Sequence, residues 1–150
     1  MPLMLSQHFS LEEYTASQTA ARLGLDNAPP PDIYENLTRH ANVMERVRLL
    51  LGAKPILISS GYRSAAVNAA VGGASNSAHM TGLAADWTCP GFGEPQKICR
   101  FLQDVIEDLG VDQLINEFPP NGWVHLGLSV GEPRHMALTI DSAGTRTGFA

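Results

Sequence analysis

A carboxylate inside an apolar run constrains a fold more than hydrophobic patterning does, because a charge taken out of water needs a partner. Residues 77–87 read SAHMTGLAADW. Asp86 lies in the strand-like LAADWT, and His79 precedes it by seven positions, across Met80, Thr81, Gly82, Leu83, Ala84 and Ala85. A core strand rejects an unpartnered charge, and a solvent loop has little use for so many small apolar residues. Either the pair is incidental, or both side chains converge on something that needs them.

The chain has five histidines, His8, His40, His79, His125 and His135. His125 sits inside WVHLGL, an apolar strand, where its ring costs free energy unless bonded or ligated. A lone strand histidine is ordinarily a hydrogen-bonded core residue. That reading has to hold for His79, Asp86 and His125 together. The joint reading is a metal site: two neutral imidazoles and one carboxylate give Zn2+ three ligands and leave a fourth place for water. Such a site keeps a positive charge, which acidifies the water. Gly82 and its small neighbours then let the backbone crowd close to the ion.

The 150 residues favour one domain, residues 1–150, with a core of ordinary size. A hydrophobic content of 44% with 17% charged residues describes a globular protein rather than a disordered chain. No apolar run approaches the ~20 residues of a membrane span. The start, MPLMLSQHFSLEEY, lacks a basic segment followed by a long apolar block, so no signal peptide is read and synthesis in the cytoplasm is expected. A net charge of −5 argues against nucleic acid as a partner. Cys89 and Cys99 form no C-x-x-C, which excludes a cysteine-rich zinc site; two buried thiols are expected.

Ser10 followed by Glu13 is a capping box, predicting a helix from near Leu11 to near Gly24. NAPPPD is a stiff connector. Leu37, Ala41, Met44, Val47 and Leu51 fall at helical spacing, stopped by Gly52. PILISS, 55–60, reads as a buried strand, GYRS as a turn, and Ser64 as the cap of a short helix ending at Gly72-Gly73. Pro95 opens a helix with Ile98, Phe101, Leu102, Val105, Ile106 and Leu109 on one face, ended by Gly110. DQLINEF, WVHLGLS (123–129) and HMALTI (135–140, an edge) read as strands. Helices come mainly first and strands mainly last. The expected fold class is therefore α+β: N-terminal helices packed on a small antiparallel β-sheet that carries a zinc site.

Ser77-x-His79-x-x-Gly82-x-Ala84-x-Asp86, with the late Trp-Val-His125, resembles the zinc D-Ala-D-Ala carboxypeptidase and dipeptidase family, which includes phage endolysin peptidases. SSGYRS, the Gly-Gly-x-Ser-x-Ser-x-His run and the N-terminal FSLEEYTASQTAARLGLDNAPPP are similar to its single-domain phage and prophage branch. The resemblance covers about residues 8–140. It implies His79, Asp86 and His125 as zinc ligands. It implies that Arg63 faces substrate and stabilises the developing oxyanion. Ser77 would bond substrate or merely order its loop, and Trp123 would wall the pocket or belong to the core.

The proton acceptor departs from better-known members. Several place Glu or Asp three residues before the last histidine, where this chain has Gly122; others place His two before it, where this chain has Trp123. Glu117 is the best replacement, because it ends DQLINE and the following turn returns the chain to His125. Asp112 and His135 are weaker candidates. The expected function is a zinc peptidase acting on the stem peptide or cross-link of bacterial peptidoglycan, a monomer without nucleic-acid or membrane partners. It would reach the cell wall after release or within a phage particle. The alternative is a non-catalytic zinc-binding wall-recognition or phage structural protein on the same scaffold. No G-x-S-x-G and no H-E-x-x-H is present.

Overall fold

The computed structural model describes residues 3–150. The chain divides into two compact units, one built from the segment up to Glu45 and Ile58–Ala85, the other from Arg46–Leu57 and Asp86–Ala150.

In the first unit, Ser10 caps α1 (Leu11–Thr15), and its reciprocal bond with Glu13 completes the capping box. The expected single helix then breaks. Ala16 turns extended, and Ser17 caps a second helix, α2 (Gln18–Leu23), by accepting from the Ala20 N–H. Gly24, left-handed at φ 65°, ends it. A 3-10 turn at Pro31–Ile33 leads into α3 (Tyr34–Leu50), which runs on into the second unit. The Leu37, Ala41, Met44, Val47 and Leu51 stripe is buried to within 1%. Burying each large member contributes about 1.5–3 kcal/mol. Phe9 and Tyr14 pack edge to face, and the Tyr14 hydroxyl meets His40 Nδ1 at 2.6 Å with neither residue exposed. Strand β1 (Leu57–Ser60) is followed by α4 (Ala65–Ala70), whose cap is Ser64 as expected. Strand β2 (Ala84–Thr88) begins in this unit.

In the second unit, Pro95 stands at the first position of α5 (Pro95–Leu102). The expected long helix tightens to 3-10 at Gln103–Val105 before resuming as α6 (Ile106–Leu109), closed by Gly110. Ile98, Leu102, Ile106 and Leu109 are buried, whereas Phe101, expected on that face, is 46% exposed. Cys89 and Cys99 are buried free thiols, and burial pushes Cys99 up to about 12. Strands β3 (Gln113–Glu117), β4 (Trp123–Gly127), β5 (Met136–Asp141) and β6 (Gly144–Thr147) follow.

The six strands order β1-β2-β4-β3-β5-β6. The class is α+β, but the sheet is mixed rather than antiparallel, because β3 pairs parallel with β5 while β3–β4 and β5–β6 are antiparallel. The segment after β4 is long enough to pass β3 and lay β5 on its far side. Asp112 pins that crossover. Its carboxylate accepts from the Arg134 backbone N–H at 2.7 Å and from the guanidinium at 2.7 and 3.0 Å, and its carbonyl accepts from Met136 N at 2.8 Å. HMALTI is thus an inner strand, and the edges of the sheet are β1 and β6. Among the described residues no helix is long and apolar enough to cross a membrane.

Candidate metal centre

His79 is set by a short turn. Ser77 Oγ accepts from the His79 N–H at 3.2 Å, opening a 3-10 turn at Ala78–Thr81. Gly82 closes it at φ 76°, and a Cβ there would lie 2.8 Å from Ile33 Cγ2 and 3.1 Å from Leu37. Only glycine satisfies both the left-handed backbone and the contact. The imidazole is buried, and its Nδ1 lies 2.7 Å from the Gly61 carbonyl oxygen. A carbonyl only accepts, so Nδ1 carries the proton and the lone pair is on Nε2. Gly61 is held in turn: a Cβ there would be 2.4 Å from the Tyr14 carbonyl oxygen, which accepts from Tyr62 N at 2.6 Å.

Asp86 on β2 and His125 on β4 are 5% and 8% exposed. Asp86 Oδ1 and His125 Nδ1 stand 2.9 Å apart. Glu117 Oε1 lies 3.7 Å from the same Nδ1. Register explains the approach. Ile115 pairs with His125 and Glu117 with Trp123, so Glu117 and His125 are diagonal neighbours on one sheet face. Gly127 lies along the other edge of the ring, where a Cβ would sit 3.2 Å from His125 Nε2. His79, Asp86 and His125 each offer a ligand atom within 4.8 Å of the others, and all three are buried. Two ligands at zinc's usual 2.0–2.1 Å in a tetrahedral site stand about 3.3 Å apart, so the trio lies close to a shared coordination shell. Imidazole and carboxylate together suit zinc better than the all-oxygen sites of calcium or magnesium. A histidine whose second nitrogen donates to a backbone carbonyl is the usual support of such a ligand.

Arg63 is half-buried, with Nε donating to Ser60 Oγ and Nη1 to Asn68 Oδ1, each at 3.2 Å. Asn68, missed in the sequence because it reads as one more residue of a small helix, is 3% exposed. Trp123 is half-buried against Phe118, ring centroids 5.5 Å apart. Its indole Nε1 is buried with no hydrogen-bond partner among the described residues. Phe118, 47% exposed and left-handed at φ 53°, was also missed; its place directly before Pro119-Pro120 in the β3–β4 turn was the available signal.

Of the alternative proton acceptors, Asp112 is committed to Arg134, whose hydrogen bonds hold its carboxyl below the usual carboxylate range. His135 is exposed, with a left-handed backbone at φ 54°. Gly122 could hold no side chain as it stands, because a Cβ would fall 1.8 Å from the Glu117 carbonyl oxygen.

The Peptidase M15 family model matches residues 7–126, a span that includes every residue of the trio and Glu117. A 43-residue stretch is 51% identical to the zinc D-Ala-D-Ala carboxypeptidase of Streptomyces albus G. That stretch is 29% of this chain and spans only 17% of the relative's length.

Proposed function

Because this chain belongs to the Peptidase M15 family, we propose that it is a zinc metallopeptidase that hydrolyses peptide bonds in the peptidoglycan stem peptide or cross-link, of the D-Ala-D-Ala carboxypeptidase or endopeptidase type. The observation that carries this reading is the buried trio of His79, Asp86 and His125, with ligand atoms within 4.8 Å of one another. These three residues would hold the zinc. When bound, it would supply a Lewis acid and lower the pKa of a water in its open position.

The other steps belong to side chains. Glu117, with Oε1 3.7 Å from His125 Nδ1, takes a proton from the attacking water and delivers it to the leaving amine. Arg63 donates to the substrate carbonyl oxygen as negative charge builds there. Trp123, packed against Phe118, walls the substrate. The Ser77 hydroxyl, which accepts from His79 N, still has a hydrogen to donate to substrate. The endolysin-like reading rests on the sequence resemblance and places this reaction on the cell wall.

The test is digestion of purified peptidoglycan by wild type and by Glu117→Ala, with zinc content measured for both. Soluble amines released by wild type and not by the variant, at equal zinc, are expected. Zinc in both proteins with release by neither would overturn the enzyme and favour a wall-binding or phage structural role, a reading that the absence of a carboxylate at Gly122 keeps in view.

A further inference from the structure

The geometry points to Asn68 as the positioning residue for Arg63, fixing its guanidinium for substrate from outside the reacting centre. This deepens the peptidase reading and rests on it. Asn68 is 3% exposed and makes four hydrogen bonds among the described residues. Its backbone N–H donates to Ser64 O at 2.9 Å, and its carbonyl accepts from Gly73 N at 2.9 Å. Its side chain donates from Nδ2 to Ala74 O at 2.9 Å and accepts at Oδ1 from Arg63 Nη1 at 3.2 Å.

The amide orientation is dictated rather than chosen, since a guanidinium only donates and a backbone carbonyl only accepts. Among side chains of this size only asparagine serves both partners. Aspartate keeps an acceptor for Arg63 and loses the donor to Ala74; leucine loses both. Gly73 completes the arrangement. A Cβ there would lie 2.1 Å from Asn68 Oδ1 and 2.9 Å from Arg63 Nη1, so this glycine leaves room for the amide–guanidinium contact. With Nε on Ser60, the guanidinium is held from two sides. An arginine anchored this way meets substrate without first losing rotamer freedom, which is where orientation contributes to rate.

The experiment uses the full chain and two readouts. The first is the Arg63 Nε–Hε NMR signal, assigned through Arg63→Lys, with its heteronuclear NOE. The second is kcat and KM on peptidoglycan fragments for wild type, Asn68→Ala, Asn68→Asp, Arg63→Ala and the double variant Asn68→Ala/Arg63→Ala. Asn68→Ala is expected to mobilise the Arg63 signal and lower kcat on the order of 100-fold with zinc retained. It should add nothing in the Arg63→Ala background. Asn68→Asp is expected to keep the rigid signal and most of the turnover, and it serves if the alanine variant does not fold. A rigid Arg63 signal in Asn68→Ala, additive losses in the double variant, or an equal loss in Asn68→Asp would each overturn the assignment. If wild type releases no amine, the peptidase reading fails, while the NMR arm still decides whether Asn68 holds Arg63.

Discussion

Gly61→Ala tests whether the backbone around the metal centre determines its affinity. A Cβ at residue 61 would lie 2.4 Å from the Tyr14 carbonyl oxygen, 2.9 Å from Tyr14 Cα and 3.0 Å from Tyr14 C, where ordinary contact begins at 3.4 Å. The neighbours are backbone and cannot rotate aside, so the turn has to move by about 1 Å. The 2.7 Å bond from His79 Nδ1 to the Gly61 carbonyl would then stretch to the edge of a hydrogen bond. Losing such support usually lowers metal affinity 10–100-fold, or about 1.4–2.7 kcal/mol. Overpacking adds a separate stability cost of about 1–3 kcal/mol. The assay is competition for zinc between apoprotein and a chromophoric chelator, with thermal unfolding followed in parallel. Tyr14→Phe is the control. It keeps the Tyr14 carbonyl and removes only the hydroxyl 2.6 Å from His40, so it should lower stability and leave zinc affinity alone. Equal zinc affinity in Gly61→Ala and wild type would refute the idea that this carbonyl orients His79.

His79→Ala or Asp86→Ala should reduce bound zinc from about one per chain toward none; elemental analysis finding full zinc in both would remove the centre as proposed. Arg63→Ala should retain zinc and lose roughly 100-fold or more in turnover on peptidoglycan fragments, and unchanged kinetics would make Arg63 a surface group. The Asp112–Arg134 clamp should give acid-sensitive stability. Hydrogen bonds from Arg134 lower the Asp112 carboxyl in the folded state, so its contribution is full above the unfolded value near 4 and is lost as pH falls through the folded one. Wild type should therefore lose more thermal stability than Arg134→Ala between about pH 5 and pH 3, and parallel curves would contradict the linkage.

What the sequence disclosed about the fold follows from which forces leave marks in it. The α3 stripe was legible because five apolar residues at helical spacing have one physical solution, a buried face. The break between α1 and α2 was hidden, since Ser17 looks like any polar helix residue until its side chain is seen accepting from Ala20 N. The 3-10 turn after α5 was hidden for a related reason: Ile98, Leu102, Ile106 and Leu109 stay buried whether the turn between them is α or tighter. Strand β6 carried no signal at all. Its four residues are exposed, and backbone pairing with β5 defines it. The parallel placement of β5 beside β3 is accompanied by the Asp112–Arg134 contact across 22 residues, and no local pattern encodes either.

At the site, residue types were readable and their support was not. A histidine and an aspartate in small apolar company, with a second histidine inside a strand, announce polar groups that need a common partner. Nothing local announces Gly61 or Asn68, because each acts through a backbone carbonyl or an amide bridge visible only in three dimensions. The position three before the last histidine shows the limit most directly. Matching letters there finds a glycine and suggests a lost function. The geometry gives that glycine a steric reason, since its missing Cβ would overlap the Glu117 carbonyl oxygen. A turn this tight has no room for a carboxylate at Gly122, yet the same tightness returns β4 alongside β3 and sets the Glu117 carboxylate 3.7 Å from His125. Cross-strand neighbours share a sheet face, so the proton acceptor we propose, Glu117, is sought across the ladder rather than along the chain.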